Sequence, residues 1–395
     1  MTVDFLKYQA QTSLYPLALE ISHANGSYIY DTNGKAYLDF IAGVSVNTIG
    51  HNHPVITKAI QDQLSKYSHV MVYGEFVQGP QVALAKLLAN NLPNPLETVY
   101  LTNSGTEATE GALKLAKRFT GRSEIIAAKN AYHGNTQGAM SVCGAEEQNS
   151  AFRPLIPGIK FIEFNNSKDL DKISKHTAAV ILETIQGGAG FIEPQKNYLK
   201  AVKNKCKENG ALLILDEIQT GIGRTGKLFG FENYDVIPDI IITGKGLGGG
   251  MPIGAFIASH EVMSCLKEHP KLGHITTFGG HPIIAAAGYA TLNEVLASTL
   301  LGQIHSKEQL IRKLLVHPLI SEIRGKGLML AVIVESPAIA SKIILKSIEK
   351  GLLLFWLLFE GKAVRITPPL TISDDEIFKG CTIIIDILNE ILADY

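Results

Sequence analysis

Short runs of apolar residues alternate with stretches of helical periodicity from about residue 98 onwards. The runs are TVYLT, EIIAA, KFIEF, AAVILE, ALLILDE, DIIIT and IGAFIA. Between them, helical spacing predicts a helix from Thr106 to Phe119 and a second helix, from Lys196 to Asn209, that ends before Gly210. The apolar face of the first helix consists of Ala108, Ala112, Leu115 and Phe119. Strands that are apolar on both faces and separated by helices predict an α/β fold with a mostly parallel sheet between layers of helices.

The two ends of the chain have a different pattern. Near the N-terminus, YIYD and KAYLDF flank a Thr-Asn-Gly sequence, which predicts a β-hairpin. Near Thr291 the pattern becomes helical again, RGKGLMLAVIV and KAVRITPP predict strands, and a last helix begins with a capping box at Ser373 and Glu376. We therefore predict a large domain at residues 50–290 and a smaller α+β domain formed by residues 1–49 and 291–395.

The composition predicts a globular protein without a nucleic-acid or membrane partner. Of the 395 residues, 46% are apolar and 18% are charged, and 36 basic against 37 acidic side chains give a formal net charge of −1. No block of like charge indicates binding to nucleic acid or to an anionic membrane. The apolar run at 352–359 is too short to span a bilayer, and the N-terminus does not have the pattern of a secretory signal. The four cysteines are scattered without a CxxC pair, which predicts free thiols in the cytoplasm and gives no support to a metal site.

Polar residues directly follow several of the predicted strands. An Asn-Ser-Gly-Thr sequence that ends at Thr106 follows TVYLT, Glu183 follows AAVIL, Asp216 follows ALLIL, and Lys245 follows DIIIT and a glycine. Because the carboxyl ends of parallel strands meet at one edge of a sheet, we expect these groups to lie close together. A helix cap or a surface lysine would explain each residue taken alone. Together they provide what pyridoxal phosphate requires: N–H groups for its phosphate, a carboxylate for its protonated ring nitrogen and a lysine that can lose its proton.

Two GxGxxG strings raise the alternative of a dinucleotide-binding enzyme. Such a motif should follow a strand and open a helix. GIGRTG at Gly221 precedes KLFGFENYD, which lacks helical periodicity, and GKGLGG at Gly244 precedes a Met-Pro pair and a strand. The second string is also no P-loop, because Gly246 follows the lysine in place of Ser or Thr. Dinucleotide binding is therefore disfavoured, and His51 and His53, which have no third ligand, are interpreted as structural.

Longer motifs resemble those of the class III aminotransferases, which are pyridoxal-phosphate enzymes of fold type I. They extend over nearly the whole chain: YIYDTNGKAYLDFIAGVSVNTIGHNHP, NSGTEA, AYHG, ETIQGGAG, LILDEIQTGIGRTG, TGKGLGGGMPIGA, TTFGGHP and VRITPPLTIS. Within that family the sequence most resembles acetylornithine and ornithine aminotransferases. The resemblance implies an enzyme that moves an amino group from an amino acid or ω-amine to a 2-oxo acid by a ping-pong mechanism.

The resemblance also implies roles for residues around the cofactor. Lys245 is expected to be the Schiff-base lysine, which then transfers a proton, and Asp216 is expected to pair with the pyridine nitrogen, so these two are the predicted catalytic residues. Thr277, in TTFGGHP, resembles a threonine that reaches the phosphate of the neighbouring subunit, which implies a homodimer with shared active sites. The other expected cofactor contacts are Ser104, Gly105 and Thr106 at the phosphate, Tyr132 and Ile218 on the two faces of the ring, and Gln219 at its phenolic oxygen.

Three residues are expected to contact the substrate: Arg365, Asn135 and Thr276. Arg365, in VRITPP, resembles the arginine that binds a substrate carboxylate, which a planar guanidinium suits; the alternative is a surface salt bridge. Acetylornithine and ornithine aminotransferases usually carry an arginine at the position of Asn135 and an acidic residue at that of Gly188. We therefore expect that the preferred donor or acceptor has one carboxylate, not two.

The same two departures raise a second function. Some members of the family that carry YHG and a small residue, without the arginine, are amino-acid racemases or epimerases. They use the same lysine and carboxylate, but they return a proton to the substrate carbon instead of releasing a keto acid. The sequence alone thus leaves a pyridoxal-phosphate-dependent racemase open as the alternative to an aminotransferase.

Overall fold

The computed structural model describes residues 1–393, in which helices and strands alternate over most of the chain. The helices are α1 (Thr2–Tyr8), α2 (Ala42–Ser45), α3 (Pro54–Leu64), α4 (Gly79–Asn90), α5 (Gly105–Thr120), α6 (Gln137–Ser141), α7 (Glu146–Asn149), α8 (Tyr198–Asn209), α9 (His260–Ser264), α10 (Pro282–Ala297), α11 (Leu300–Leu314), α12 (Pro337–Glu349) and α13 (Asp374–Ala393). The strands are β1 (Ile21–Asn25), β2 (Tyr28–Asp31), β3 (Ala36–Asp39), β4 (Thr98–Thr102), β5 (Glu124–Ala128), β6 (Ile159–Ile162), β7 (Thr177–Glu183), β8 (Leu212–Asp216), β9 (Ile240–Gly244), β10 (Gly254–Ala258), β11 (Ile320–Lys326), β12 (Met329–Val334), β13 (Leu352–Leu353), β14 (Phe355–Trp356) and β15 (Ala363–Ile366).

A seven-stranded sheet lies in the middle of the described chain, with its strands in the order β4-β10-β9-β8-β7-β5-β6. The neighbours from β9 to β6 pair in parallel, whereas β10 runs antiparallel to both β4 and β9. Every residue of β7, β8 and β9 is buried. The prediction of an α/β fold with a mostly parallel, doubly covered sheet is confirmed.

Both faces of this sheet carry apolar clusters. Along β8, Leu213 and Leu215 belong to one cluster, while Leu212 and Ile214 belong to another, as alternation of side chains along a strand requires. The helix α5 packs into the second cluster through residues that include Ala112. Because both faces are closed, polar side chains of these strands have to gather at the strand ends.

Two details of the predicted helices were wrong. Phe119 was expected on the buried face of α5, but it is 38% exposed because it lies in the last turn, just before the chain leaves the helix at Gly121 with φ of 68°. The helix expected from about Thr291 begins at Pro282. This helix, α10, packs against both α3 and α4, so it is apolar over much of its surface and shows little amphipathic periodicity.

The remaining strands form two four-stranded sheets in the described chain, β1-β2-β3-β13 and β11-β12-β15-β14. The predicted hairpin is the antiparallel pair β2–β3, and β3 also pairs in parallel with β13, which brings Leu38 opposite Leu352. One apolar cluster contains Leu38 and Phe40 together with Ile384 of α13. The two ends of the chain therefore share a core, although the exact domain limits at residues 49–50 and 290–291 stay a prediction.

The predicted capping box at the start of α13 is confirmed. The backbone N–H of Ser373 donates to Glu376 Oε2 at 2.8 Å, and the backbone N–H of Glu376 donates to Ser373 Oγ at 3.2 Å. Within residues 1–393 no single helix is long and apolar enough to cross a membrane. One bent helix pair, Pro282–Ala297 followed by Leu300–Leu314 at an angle of 73°, has the length and composition of a membrane span, by these two criteria alone.

Candidate active site

The polar residues that follow the central strands lie together at one edge of the sheet. The last residues of the parallel strands β7 and β8, Glu183 and Asp216, are partners in register. β9 ends at Gly244, and Lys245 begins the turn that follows. Together with Thr106 in the first turn of α5, these residues line a cavity of about 360 Å³. The clustering expected from the geometry of parallel strands is therefore observed.

Lys245 faces this cavity from deep within the protein. Its φ of 40° lies in the left-handed region, which strains a residue that carries a side chain. Burial lowers the pKa of the Lys245 amine to about 8. The negative charge of Asp216 acts to raise this pKa, and the positive charge of Arg365 lowers it further. An amine with this pKa is neutral in a substantial fraction of molecules near pH 8, so it can act as a nucleophile or accept a proton.

Asp216 is held in place by two hydrogen bonds. Its Oδ1 accepts a hydrogen bond from the backbone N–H of Ile218 at 2.9 Å, and its Oδ2 lies 2.7 Å from Nδ1 of the buried His133. Burial alone would lower the pKa of His133, but the hydrogen bond to Asp216 and its negative charge outweigh burial and raise that pKa. His133 therefore fixes the orientation of the carboxylate that faces the cavity.

Sequence reasoning did not single out His133. It lies in the AYHG motif, in the loop that follows β5, and its partner Asp216 is 83 residues further along the chain. The motif itself was the available signal, but no spacing along the sequence indicates which carboxylate the imidazole contacts.

Glu183, at the end of β7, was noted as a strand-end carboxylate but not predicted to be a site residue. Its Oε2 accepts a hydrogen bond from the backbone N–H of Tyr132 at 3.2 Å, and its Oε1 accepts one from the backbone N–H of Gly187 at 2.9 Å. Burial raises the pKa of this carboxyl to about 7. Glu183 thus ties together two loops that border the cavity, those after β5 and β7.

The N-terminus of α5 also borders the cavity, and the backbone N–H groups of a helix N-terminus are suited to bind an anion. Ser104 is the N-cap residue, and its Oγ accepts a hydrogen bond from the backbone N–H of Glu107 at 3.3 Å. The hydroxyl of Thr106 lies 2.8 Å from that of Thr136. A Cβ on Gly134 would lie 2.3 Å from Thr106 Oγ1, so only glycine lets the loop after β5 approach α5 this closely.

An aromatic, an aliphatic and an amide side chain also line this cavity. Tyr132 and Ile218 both border the cavity, and Ile218 packs so closely on Gly105 that a Cβ there would lie 2.7 Å from its Cδ1. Gln219 also borders the cavity, and its Nε2 donates to Ser45 Oγ at 3.3 Å. The predicted residues Gly105, Thr106, Tyr132, Ile218 and Gln219 are therefore brought together, while Ser104 supports them as the helix cap.

Arg365, on β15, extends into the cavity from the other lobe and is only 5% exposed. Its guanidinium lies 5.5 Å from the centre of the Phe191 ring. Nε and Nη1 are buried without a hydrogen-bond partner among the described residues. Burial lowers the pKa of this guanidinium to about 10. A buried cation with unpaired donors is a site for an anion, and its planar geometry fits a carboxylate.

The remaining predicted residues have different positions. Asn135 lines the cavity, whereas Thr276 and Thr277 lie outside it in the single chain. Thr276 Oγ1 accepts a hydrogen bond from the backbone N–H of Gly279 at 3.0 Å, and Thr277 borders a separate cavity of about 190 Å³. Their predicted roles, in the substrate site and across a subunit boundary, stay predictions.

Comparison with known families agrees with this site. The sequence profile described as Aminotransferase class-III matches residues 8–388. The chain belongs to the class III aminotransferases. As a member of this family it is a pyridoxal-phosphate-dependent transaminase, and the predicted fold type I architecture is confirmed by its solved relatives.

The relatives support an aminotransferase in particular. The chain is 41% identical over 399 residues to the acetylornithine aminotransferase of Caldanaerobacter subterraneus subsp. tengcongensis, with 98% of each chain covered. It is 40% identical over 369 residues to that of Clostridium acetobutylicum, with 90% of this chain and 92% of the relative covered. The solved structure of the ornithine aminotransferase of Toxoplasma gondii is 31% identical in sequence and superposes with a TM-score of 0.92. The superposition covers 100% of this chain and 95% of that structure. None of these relatives is a racemase, so the racemase alternative gains no support.

The chemistry of the cavity fits the cofactor of this family. Lys245 would supply an amine for the aldehyde carbon, Asp216 a carboxylate for the ring nitrogen, and the N-terminus of α5 N–H groups for the phosphate. Pyridoxal phosphate, once bound there, stabilises negative charge on the substrate carbon next to the transferred nitrogen.

Proposed function

We propose that this class III aminotransferase uses Lys245 as its acid–base catalyst, Asp216 to pair with the cofactor's ring nitrogen, and Arg365 to bind the single carboxylate of an amino-acid or ω-amino-acid substrate. The unpaired guanidinium of Arg365 carries this proposal, since a buried cation at the edge of the cavity needs an anionic partner. The charges lining the described cavity support one carboxylate, because Lys245 is the only other lysine or arginine there and His133 is already paired with Asp216.

The residues of the site have separate tasks in this reaction. Lys245 Nζ takes a proton from the substrate carbon and returns it to a neighbouring atom, for which a pKa of about 8 is well suited. Asp216, oriented by His133, keeps the ring nitrogen protonated. Tyr132 and Ile218 would contact the ring, and the first turn of α5 would bind the phosphate through Gly105 and Thr106, with Ser104 as the helix cap.

In the net reaction the donor exchanges a C–N bond for a C=O bond, and the 2-oxo acid exchanges its keto C=O bond for a C–N bond. The donor loses its amine and becomes a carbonyl compound, and the 2-oxo acid gains that amine in the second half of a ping-pong cycle. One water is consumed when the first carbonyl product is released and one is formed in the second half, and the oxidation of the donor balances the reduction of the 2-oxo acid, so no external oxidant or reductant is required.

The first test is an absorbance spectrum of the purified enzyme with single amino donors and no keto acid. The panel is N-acetylornithine, ornithine, 4-aminobutyrate, lysine, alanine and isoleucine. We expect at least one donor to bleach the yellow cofactor band and to release its carbonyl product. A band that stays yellow while the donor exchanges its α-hydrogen would indicate racemisation instead. If no band develops after pyridoxal phosphate is added, the proposed function is wrong.

We also propose that the active form is a homodimer in which Thr277 of one subunit reaches the phosphate site of the other. A surface around Thr277 supports this, because Met71, Phe76 and Phe278 lie there and expose 36%, 60% and 54% of their area. Light scattering after size exclusion should give twice the chain mass of 42.8 kDa. Thr277→Ala should weaken cofactor binding without changing that mass. A monomer with full activity would contradict the proposal.

We infer, finally, that the enzyme works in the cytoplasm. The described cysteines are all free, and Cys143, Cys206 and Cys381 are buried, which raises each thiol pKa to about 12. Such thiols are inert in a reducing compartment. Fractionation of the native cells with an antibody to the protein tests this location.

A further inference from the structure

Gly188 occupies the position at which the acetylornithine-like pattern has an acidic residue, and a neighbouring segment fills the space beside it. The backbone N–H of Phe359 donates to Gly188 O at 2.9 Å. A Cβ on Gly188 would lie 2.8 Å from two atoms of the Phe359 ring. Leu357 anchors the segment, since it is 5% exposed and belongs to the apolar cluster that contains Met329. An aromatic ring thus stands where an acidic side chain would otherwise extend.

A second cavity of about 570 Å³ continues from the catalytic cavity on this side. The two cavities share Tyr132, Asn135 and Leu358 as lining residues. The second one is also lined by the rings of Phe152 and Phe359. The shared lining places it directly beside the catalytic cavity, and it is called the extension below.

The lining of this extension contains no Asp, Glu, Lys or Arg among the described residues. Its polar groups are uncharged, such as the amides of Asn135 and Gln148. A charged group that entered would lose hydration without gaining an ionic partner. Apolar side chains at its rim are open to solvent, because Phe152 is 57% and Leu358 56% exposed. Covering them with an apolar substrate group removes that area from water.

We infer that the second cavity is a subsite for an uncharged, predominantly apolar side chain of the substrate, so that the preferred substrates are 2-amino acids and 2-oxo acids whose distal end carries no charge. In this arrangement Arg365 binds the carboxylate next to the reacting amine, and the side chain passes Asn135 into the space between Phe152 and Phe359. The inference rests on the proposed function and names its substrate class.

A matched pair of donors tests the subsite directly. 2-Aminohexanoate and 2-aminohexanedioate have the same six-carbon chain and differ in a terminal methyl or carboxylate. Stopped-flow bleaching of the cofactor-loaded enzyme gives a half-saturating concentration and a limiting rate for each. We expect 2-aminohexanoate to half-saturate at a concentration at least tenfold lower. From 2-aminopentanoate to 2-aminoheptanoate, the half-saturating concentration should fall about fourfold per methylene.

Variants of two rim residues separate binding in the subsite from general effects. Phe152→Ala should flatten the dependence on chain length, whereas Phe378→Ala, a change of an equally exposed phenylalanine (58%) on α13, should leave it unchanged. Leu358→Lys adds a cation at a point that both cavities share. It should reverse the preference so that 2-aminohexanedioate half-saturates at the lower concentration.

The outcomes distinguish the subsite from the proposed function. If 2-aminohexanedioate binds as well as 2-aminohexanoate to the unmodified enzyme, or if Phe152→Ala leaves the chain-length series unchanged, the subsite is refuted while the aminotransferase stands. If neither these donors nor the broader panel bleach the cofactor, the proposed function fails and the subsite fails with it.

Discussion

Replacing Arg365 by Met should stabilise the folded enzyme and weaken substrate binding at the same time. The guanidinium is 5% exposed, and two of its nitrogen atoms have no partner among the described residues. Burial lowers its pKa from 12.5 to about 10. At about 1.4 kcal/mol per pKa unit, keeping the guanidinium charged in this position therefore costs about 3 kcal/mol. Methionine keeps much of the side-chain volume without the charge.

The expected gain in stability is smaller than this cost, because the contact with the Phe191 ring is altered too. Exchanges of buried charges for apolar side chains stabilise proteins by about 1–4 kcal/mol. For a chain of this length such a gain raises the melting temperature by roughly 1–5 °C. Differential scanning calorimetry of the cofactor-loaded enzyme, without substrate, measures this shift.

Substrate binding should change in the opposite direction. A hydrogen bond to a charged group contributes about 1.5–3 kcal/mol. The loss of the interaction between Arg365 and a carboxylate should therefore lower kcat/KM for the 2-oxo acid by about 10- to 150-fold. Steady-state assays with the keto acid as the varied substrate give this ratio.

Arg312 is the matched control, since all three of its guanidinium nitrogen atoms donate hydrogen bonds. Its Nε donates to Glu308 at 2.9 Å, and its Nη atoms donate to the carbonyls of Ile323 and Gly325 at 2.6 Å. Arg312→Met should destabilise the protein and leave the KM of the keto acid unchanged. A less stable Arg365→Met enzyme with unchanged kcat/KM would refute the reasoning, because it would make Arg365 a structural residue.

Three further predictions concern the cofactor. Lys245→Ala should abolish turnover while the protein still binds pyridoxal phosphate in an equilibrium titration; an active alanine variant would contradict its role. The capture of cofactor by the apoenzyme should rise with pH and reach half its maximum near pH 8, because the neutral Lys245 amine reacts, and a profile still rising at pH 10 would be that of an ordinary lysine. His133→Leu should raise the dissociation constant of the cofactor roughly 5- to 100-fold, since Asp216 loses its buried partner; an unchanged constant would exclude that role.

Much of the fold and part of the site could be predicted from local patterns. Asp216 and Lys245 each follow a continuous apolar run, and the rule that ligands bind at the carboxyl ends of parallel strands places them in one cavity. This inference needs only the identity of the strands, which burial on both faces makes easy to recognise.

What the sequence could not reveal depends on contacts between distant segments. The pairing of His133 with Asp216 joins a loop to a strand end 83 residues away. The contact between Gly188 and Phe359 depends on how the loop after β14 folds back. The sequence indicated that an acidic side chain is absent at Gly188, but not that an aromatic ring takes its place. Tertiary packing, which leaves no periodic signal, decides both cases.

The parallel pairing of β3 with β13 has a consequence for synthesis on the ribosome. Leu38 and its partner Leu352 are separated by roughly 300 residues. At a translation rate of about 5–20 residues per second, β13 is synthesised roughly 15–60 s after β3. During that time the apolar side chains of Leu38 and Phe40, which are fully buried in the finished protein, have no core to enter. The growing chain therefore exposes these apolar side chains until its last helix leaves the exit tunnel, and an incomplete core of this kind favours aggregation and recognition by chaperones.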